Sequence, residues 1–265
     1  MDNSTSKNDE IVPKYNMNHG KRGKALIFNH KIFDENLDLS IRDGTDMDCK
    51  RLDQVLNKLD FHVTVYTDLC YKEIHTVMKK TSLENHEDMD CIAVAILSHG
   101  AEDAIYAKDT FYKLDDVSDL LTPDNCPTLA NKPKLFFVQA CRGDRVDKGI
   151  RSAFVDAVES KTNTSLTMPS QADFLIAYAT SPDFVSFRNP RNGSWFIQTL
   201  CDVMEEQGYH LEIVRLLTLV NYRVARMFEP EYKSGVAKQM PCIETRLTRD
   251  LLLKPKCVVL EKCDC

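Results

Sequence analysis

No stretch of this 265-residue chain approaches the roughly 18 consecutive apolar residues of a membrane-spanning helix, and its first ten residues are polar where a secretory signal has an apolar centre. A cytoplasmic location is the expectation. Basic residues are also not in excess: 34 Lys and Arg face 40 Asp and Glu, a net charge of −6. That balance argues against nucleic acid or an acidic membrane as partner and points to protein or peptide substrates. No internal repeat is present, and the tail cysteines Cys257, Cys263 and Cys265 lack the paired spacing of a zinc site, so neither metal nor cofactor is expected. Without a secretory signal the ten cysteines read as reduced thiols, with Cys91 and Cys242 expected in the core.

What the sequence does contain is the composition of an ordinary globular domain, 43% apolar and 28% charged. Residues 1–23 show no apolar period and end in the basic patch Lys21-Arg22-Gly23-Lys24, which reads as a short disordered leader. From Lys24 onward, strand-like runs alternate with helix-period segments. The strand candidates are Ala25–Phe28, Phe61–Tyr66, Cys91–Leu97, Lys134–Val138, Asp173–Tyr178 and Cys242–Leu247. Leu52, Val55, Leu56 and Leu59 share one helix face, and further helices are expected at Ser194–Glu206 and Leu211–Phe228. Several strands are apolar throughout with little alternation, as strands covered on both faces are, so the pattern is that of an α/β sandwich. The stretch 144–169 is polar and aperiodic, a long exposed loop within the domain, and 253–265 reads as an irregular tail.

In open α/β sheets, ligands bind outside the carboxyl ends of the strands. Two strands end there in reactive residues: Ser98-His99-Gly100 follows one, and Gln139-Ala140-Cys141-Arg142-Gly143 follows another. A thiol becomes a strong nucleophile when an imidazole lies nearby. This pentapeptide, with a His-Gly roughly forty residues upstream, is the local signature of the caspases. The chain resembles that family across Tyr15–Leu252, sharing also Tyr15-Asn16-Met17-Asn18-His19, Ala172-Asp173-Phe174-Leu175 and Gly193-Ser194-Trp195-Phe196. It is most similar to insect-like effector members with short leaders.

The resemblance implies a three-layer α/β/α sandwich around a mostly parallel six-stranded sheet, and an endopeptidase that cuts after aspartate in apoptosis. It makes Cys141 the nucleophile and His99 its proton-transfer partner, with the backbone N–H groups of Gly100 and Cys141 as the oxyanion hole and the Ser40 carbonyl steadying the imidazole. It assigns Arg42, Gln139 and Arg188 to the aspartate pocket, and Ser186, Phe187 and Trp195 to the strand and walls that receive the preceding residues. It further implies a zymogen whose catalytic domain, 24–252, is cut within 144–169 into a large subunit, 24–156, and a small one, 157–252. Asp156, followed by small Ala157, is the expected cut. A homodimer paired through the last strand, an upstream initiator caspase and inhibitor proteins are the implied partners. Two departures from the effector pattern are Val185, where an aromatic residue is usual, and a shorter loop at Pro230–Ala237. Two other readings stay open here: a catalytically silent homologue, and a related peptidase cutting after basic residues, which would want acids where this chain has Arg42 and Arg188.

Overall fold

Six apolar runs pair side by side in one sheet of the computed structural model, which describes residues 12–146, 169, 171–227, 231–232 and 235–256. Asp156 and the tail cysteines lie outside the described residues. In chain order the elements are β1 (Lys24–Asn29), α1 (Thr45–Lys58), β2 (His62–Thr67), α2 (Tyr71–Ser82), β3 (Ile92–Leu97), the short strands β4 (Gly100–Ala101), β5 (Ala104–Tyr106) and β6 (Phe111–Tyr112), and α3 (Asp115–Ser118). They continue with β7 (Lys134–Gln139), β8 (Phe174–Tyr178), β9 (Arg188–Asn189), β10 (Gly193–Ser194), α4 (Trp195–Gln207), α5 (Ile213–Met227), β11 (Glu231–Tyr232), β12 (Gly235–Val236) and β13 (Cys242–Thr245).

The sheet order is β13-β8-β7-β3-β1-β2, parallel throughout except for β13, which runs antiparallel to β8. Because side chains alternate across a strand, each central strand feeds two cores. Ala25, Ile27, Ala93, Ala95, Leu135 and Phe137 pack under α1, α4 and α5. Leu26, Phe28, Ile92, Val94, Phe136 and Val138 pack against α2 and α3 on the other face. The result is the three-layer α/β/α sandwich expected from the sequence. α1 starts at Gly44, whose φ of 88° places it in the left-handed region, where the lack of a Cβ removes the steric penalty.

Part of the stretch read as a disordered leader is ordered and packed. Tyr15 and Met17 are buried in the α1/α4/α5 core, and the Tyr15 hydroxyl donates to Asp173 Oδ1 at 2.6 Å. Arg22 is fully buried, donating to Asp90 Oδ2 at 2.9 Å, to the Leu59 carbonyl at 3.1 Å and to the carbonyl of Lys254. Lys256 also pairs with Asp90, and donates to the carbonyls of Met17 and His19. Leu251 and Leu253 are buried too, so residue 253, read as the start of an irregular tail, is part of the packed domain. Partners this distant in sequence leave no local period, which is why both segments read as unstructured. Cys91 is in the core, whereas Cys242 is only half-buried, because β13 is the sheet's edge.

Removing one partner of a buried ion pair strands the other charge, at a cost of roughly 3–5 kcal/mol. Because Lys256 stays beside Asp90, Arg22→Ala is expected to lower unfolding stability by less than that, roughly 1–3 kcal/mol, in urea titration. A loss near that of an exposed pair, below about 1 kcal/mol, would contradict the pinning of both segments to Asp90.

Candidate active site

The carboxyl ends of β1, β3 and β7 lie side by side, and the loops leaving them converge. β3 hands over to Ser98, whose N–H donates to the Gln139 carbonyl at 3.0 Å, tying the His-bearing turn to the end of β7. The next residue, His99, is held at Nε2 by the Ser40 carbonyl, 2.8 Å away. A carbonyl only accepts, so Nε2 carries the hydrogen and Nδ1 of the neutral ring keeps its lone pair. Phe33 packs on the imidazole with ring centres 5.1 Å apart. Burial pulls the His99 pKa below its ordinary value, against the bond to Ser40, and the cations Arg42 and Arg188 add to the depression.

Gly100 lies against the backbone at the end of β7: a Cβ placed there would stand 2.3 Å from the Cys141 carbonyl oxygen and 2.9 Å from Ala140 Cβ. Glycine is thus required for this approach. Cys141 is half-buried, and its sulfur accepts from the Ser186 N–H at 3.4 Å. The Ser186 hydroxyl is 3.7 Å from the same sulfur and accepts from Gln139 Nε2 at 3.0 Å. Residues 142–145 run beside 183–185, with backbone bonds from Arg142 N–H to Phe184, Arg145 N–H to Asp183 and Val185 N–H to Arg145. That ladder delivers Ser186 to the thiol.

Arg42 has no exposed surface. One guanidinium nitrogen, Nη1, donates to the His30 carbonyl at 2.7 Å and to Thr45 Oγ1 at 2.8 Å. Nε and Nη2 have no hydrogen-bond partner among the described residues, nor does buried Gln139 Oε1. Burial first, and then the neighbouring Arg188 charge, push the Arg42 pKa down to about 9. Arg188, also depressed by burial, donates Nε to the Asp43 carbonyl at 2.8 Å. A buried cation with unfilled donors, beside a second cation and next to a thiol, forms an anion site that a planar carboxylate would complete with bidentate bonds.

Phe187 and Trp195 stack at 4.9 Å, forming one apolar wall beyond the cations. Their placement depends on a residue that sequence reading passed over: buried Gln239 accepts from the Phe187 N–H at 2.7 Å and donates to the Ala179 carbonyl at 2.7 Å. Asp48 was passed over as well; its carboxylate takes the Ser194 N–H and the Gln198 amide and lies within electrostatic reach of both arginines. A lone amide in a loop and an acid in a helix's first turn carry no distinguishing signal. A separate cavity of about 310 Å³ touches Cys141, Arg142, Tyr178 and Glu244 but none of the pocket arginines, so it lies behind the thiol. The structure thus brings Cys141, His99, Ser40, Gly100, Arg42, Gln139, Arg188, Ser186, Phe187 and Trp195 to one end of the sheet; Asp156 lies outside the described residues.

Residues 22–252 match the family described as Caspase domain. Caspase drICE of Drosophila melanogaster is 49% identical over 255 residues, covering 94% of this chain and 74% of that protein. Caspase-1 of Spodoptera frugiperda is 45% identical over 252 residues, covering 94% of this chain and 84% of its own length. The crystal structure of the Spodoptera protein superposes with a TM-score of 0.85 at 44% identity, over 95% of this chain and 97% of that one.

The wall behind Arg42 carries its own pH dependence. His30 is fully buried with neither ring nitrogen bonded among the described residues, and burial pushes its pKa down to about 4, the Arg42 charge assisting while Asp68 and Asp109 oppose. Below its ordinary value near 6.5 the unfolded chain takes up a proton that the folded one refuses, so stability is full above that pH and falls as pH drops toward 4. The loss amounts to roughly 3 kcal/mol from this group. Urea midpoints measured between pH 7 and pH 4.5 are expected to fall less steeply in His30→Asn than in the parent; equal slopes would contradict the assignment.

Proposed function

The chain belongs to the caspase family of cysteine endopeptidases, and from that membership we propose that it hydrolyses peptide bonds on the carboxyl side of aspartate in protein substrates. The observation that carries this reading is the buried Arg42 guanidinium with unfilled donors, beside Arg188 and Gln139 and next to Cys141. A substrate aspartate satisfies these donors and cancels the mutual repulsion of the cations. A lysine or arginine would add a third positive charge to the same space, which disfavours the basic-specific reading.

In the proposed mechanism the neutral His99 takes the thiol proton at Nδ1, and Cys141 sulfur attacks the scissile carbonyl carbon. Charge developing on the carbonyl oxygen is met by the N–H groups of Gly100 and Cys141. As the C–N bond breaks, His99 returns the proton to the leaving amine, and water then hydrolyses the thioester with His99 accepting its proton. The residues preceding aspartate extend along Ser186–Arg188 as an added strand against the Phe187 and Trp195 wall.

Ser186 occupies the thiol and the Gln139 amide in the intact chain, held there by the 142–145 and 183–185 ladder. This self-contact supports a zymogen whose activity rises on cleavage after Asp156 by an upstream protease. The exposed edge of β13 supports a homodimer of two large and two small subunits. We assign it an effector role in apoptosis in the cytoplasm, open to inhibitor proteins that enter the same cleft.

Purified protein is expected to cut four-residue fluorogenic peptides ending in Asp and not those ending in Lys or Arg, with Cys141→Ala inert. Turnover after a basic residue, or none after Asp even in processed protein, would overturn the reading. Arg42→Met is expected to reduce kcat/KM by at least about 100-fold, the scale of removing one partner of a buried charged hydrogen bond. Asp156→Ala should leave the chain whole on a denaturing gel and poorly active; normal processing and activation would exclude Asp156 as the cut.

A further inference from the structure

The basic run Lys21-Arg22-Gly23-Lys24 has no part in the cleft, yet all four residues line a cavity at the opposite pole, beside the amino ends of β1 and β2. Its volume of about 550 Å³ is that of a small-molecule site. Phe61 and Met89 contribute apolar wall. Lys24 and Lys256 line the cavity too, but their ammonium groups are paired with Glu84 and Asp90, so they add aliphatic stems and no free charge. Arg22 is likewise engaged, by Asp90 and by two backbone carbonyls.

What remains unpaired in the lining is positive. Lys21 and His62 are exposed, and neither side chain has a hydrogen-bond or ion-pair partner among the described residues. The acid in the lining is Asp60, whose Oδ2 already accepts from the Lys256 N–H at 3.1 Å and lies 3.1 Å from the Tyr209 hydroxyl. A mostly apolar cavity whose free polar side chains are an ammonium and an imidazole suits a ligand with an apolar body and one anionic end. The ammonium offers three donors to a carboxylate or phosphate, and the imidazole offers at least one in either protonation state. We propose that this cavity binds a small anionic amphiphile, a single apolar chain ending in a carboxylate or phosphate, with Lys21 and His62 holding the head group and Phe61 and Met89 against the chain. The site is separate from the cleavage reaction and does not depend on it.

The test is isothermal titration of the full chain with decanoate and with decyl phosphate, each below its micelle-forming concentration, beside neutral decanol and cationic decyltrimethylammonium. A saturable site, one per chain, is expected for an anion, with the alcohol at least about tenfold weaker, the scale of one charge-assisted hydrogen bond, and the cation not bound. The tighter of the two anions names the head group. Lys21→Gln/His62→Gln should weaken anion binding by about tenfold or more while leaving the alcohol within about twofold. Both side chains are exposed, so the double variant should keep the parent's urea midpoint, which separates lost binding from lost folding. No saturable site, an alcohol that binds as tightly as the anions, or anion affinity unchanged in the double variant overturns the proposal.

Discussion

Arg42 brings a positive charge into the protein with no exposed surface and no carboxylate bonded to it. Burying such a charge is costly, and the surrounding framework exists largely to bear that cost. The His30 carbonyl and Thr45 hydroxyl fill one nitrogen, and Thr45 in turn donates to Asn29 at the end of β1. Asp48, in the first turn of α1, contributes a distant counter-charge while its own oxygens are taken by the start of α4. The cation is therefore fixed by three elements at once, and remains electrostatically incomplete. Binding selectivity of this kind comes from donors that are already aimed, so that no reorganisation is needed when the anion arrives.

The same incompleteness bears on the resting chain. Ser186 offers the site only neutral bonds, one from Gln139 to its hydroxyl and one from its N–H to sulfur, each contributing on the order of 1 kcal/mol or less. A carboxylate between two arginines makes charge-assisted bonds of about twice that strength. Self-occlusion of this site is weak in itself and depends on the ladder between 142–145 and 183–185 to hold its register.

The sheet was legible because β1, β3, β7 and β8 are unbroken apolar runs, and the nucleophile and imidazole were legible because they directly follow two of them. α2 escaped notice because only Ile74 and Met78 mark its buried face among lysines and threonines. The small sheet β4-β5-β6 has strands of two or three residues, too short to show a period. Tyr15, Met17 and Arg22 were misjudged since their partners lie at Asp173, Asp250, Asp90 and Lys254, contacts that no window along the chain contains. Gln239 and His30 act through backbone carbonyls and N–H groups, whose positions follow from the fold and not from residue type.

Arg22 and Lys256, near opposite ends of the described chain, converge on one buried carboxylate, Asp90, at the amino ends of the strands. The six residues of β1 at about 3.3 Å each then separate this junction from the cleft by about 20 Å. The consequence is topological: the described chain, 12–256, is nearly a closed ring, joined on the pole facing away from the cleft. A short covalent bridge across that seam, with new ends opened elsewhere, would yield a circular permutant with the cleft undisturbed, and a surface tether placed at the seam would present every active site outward.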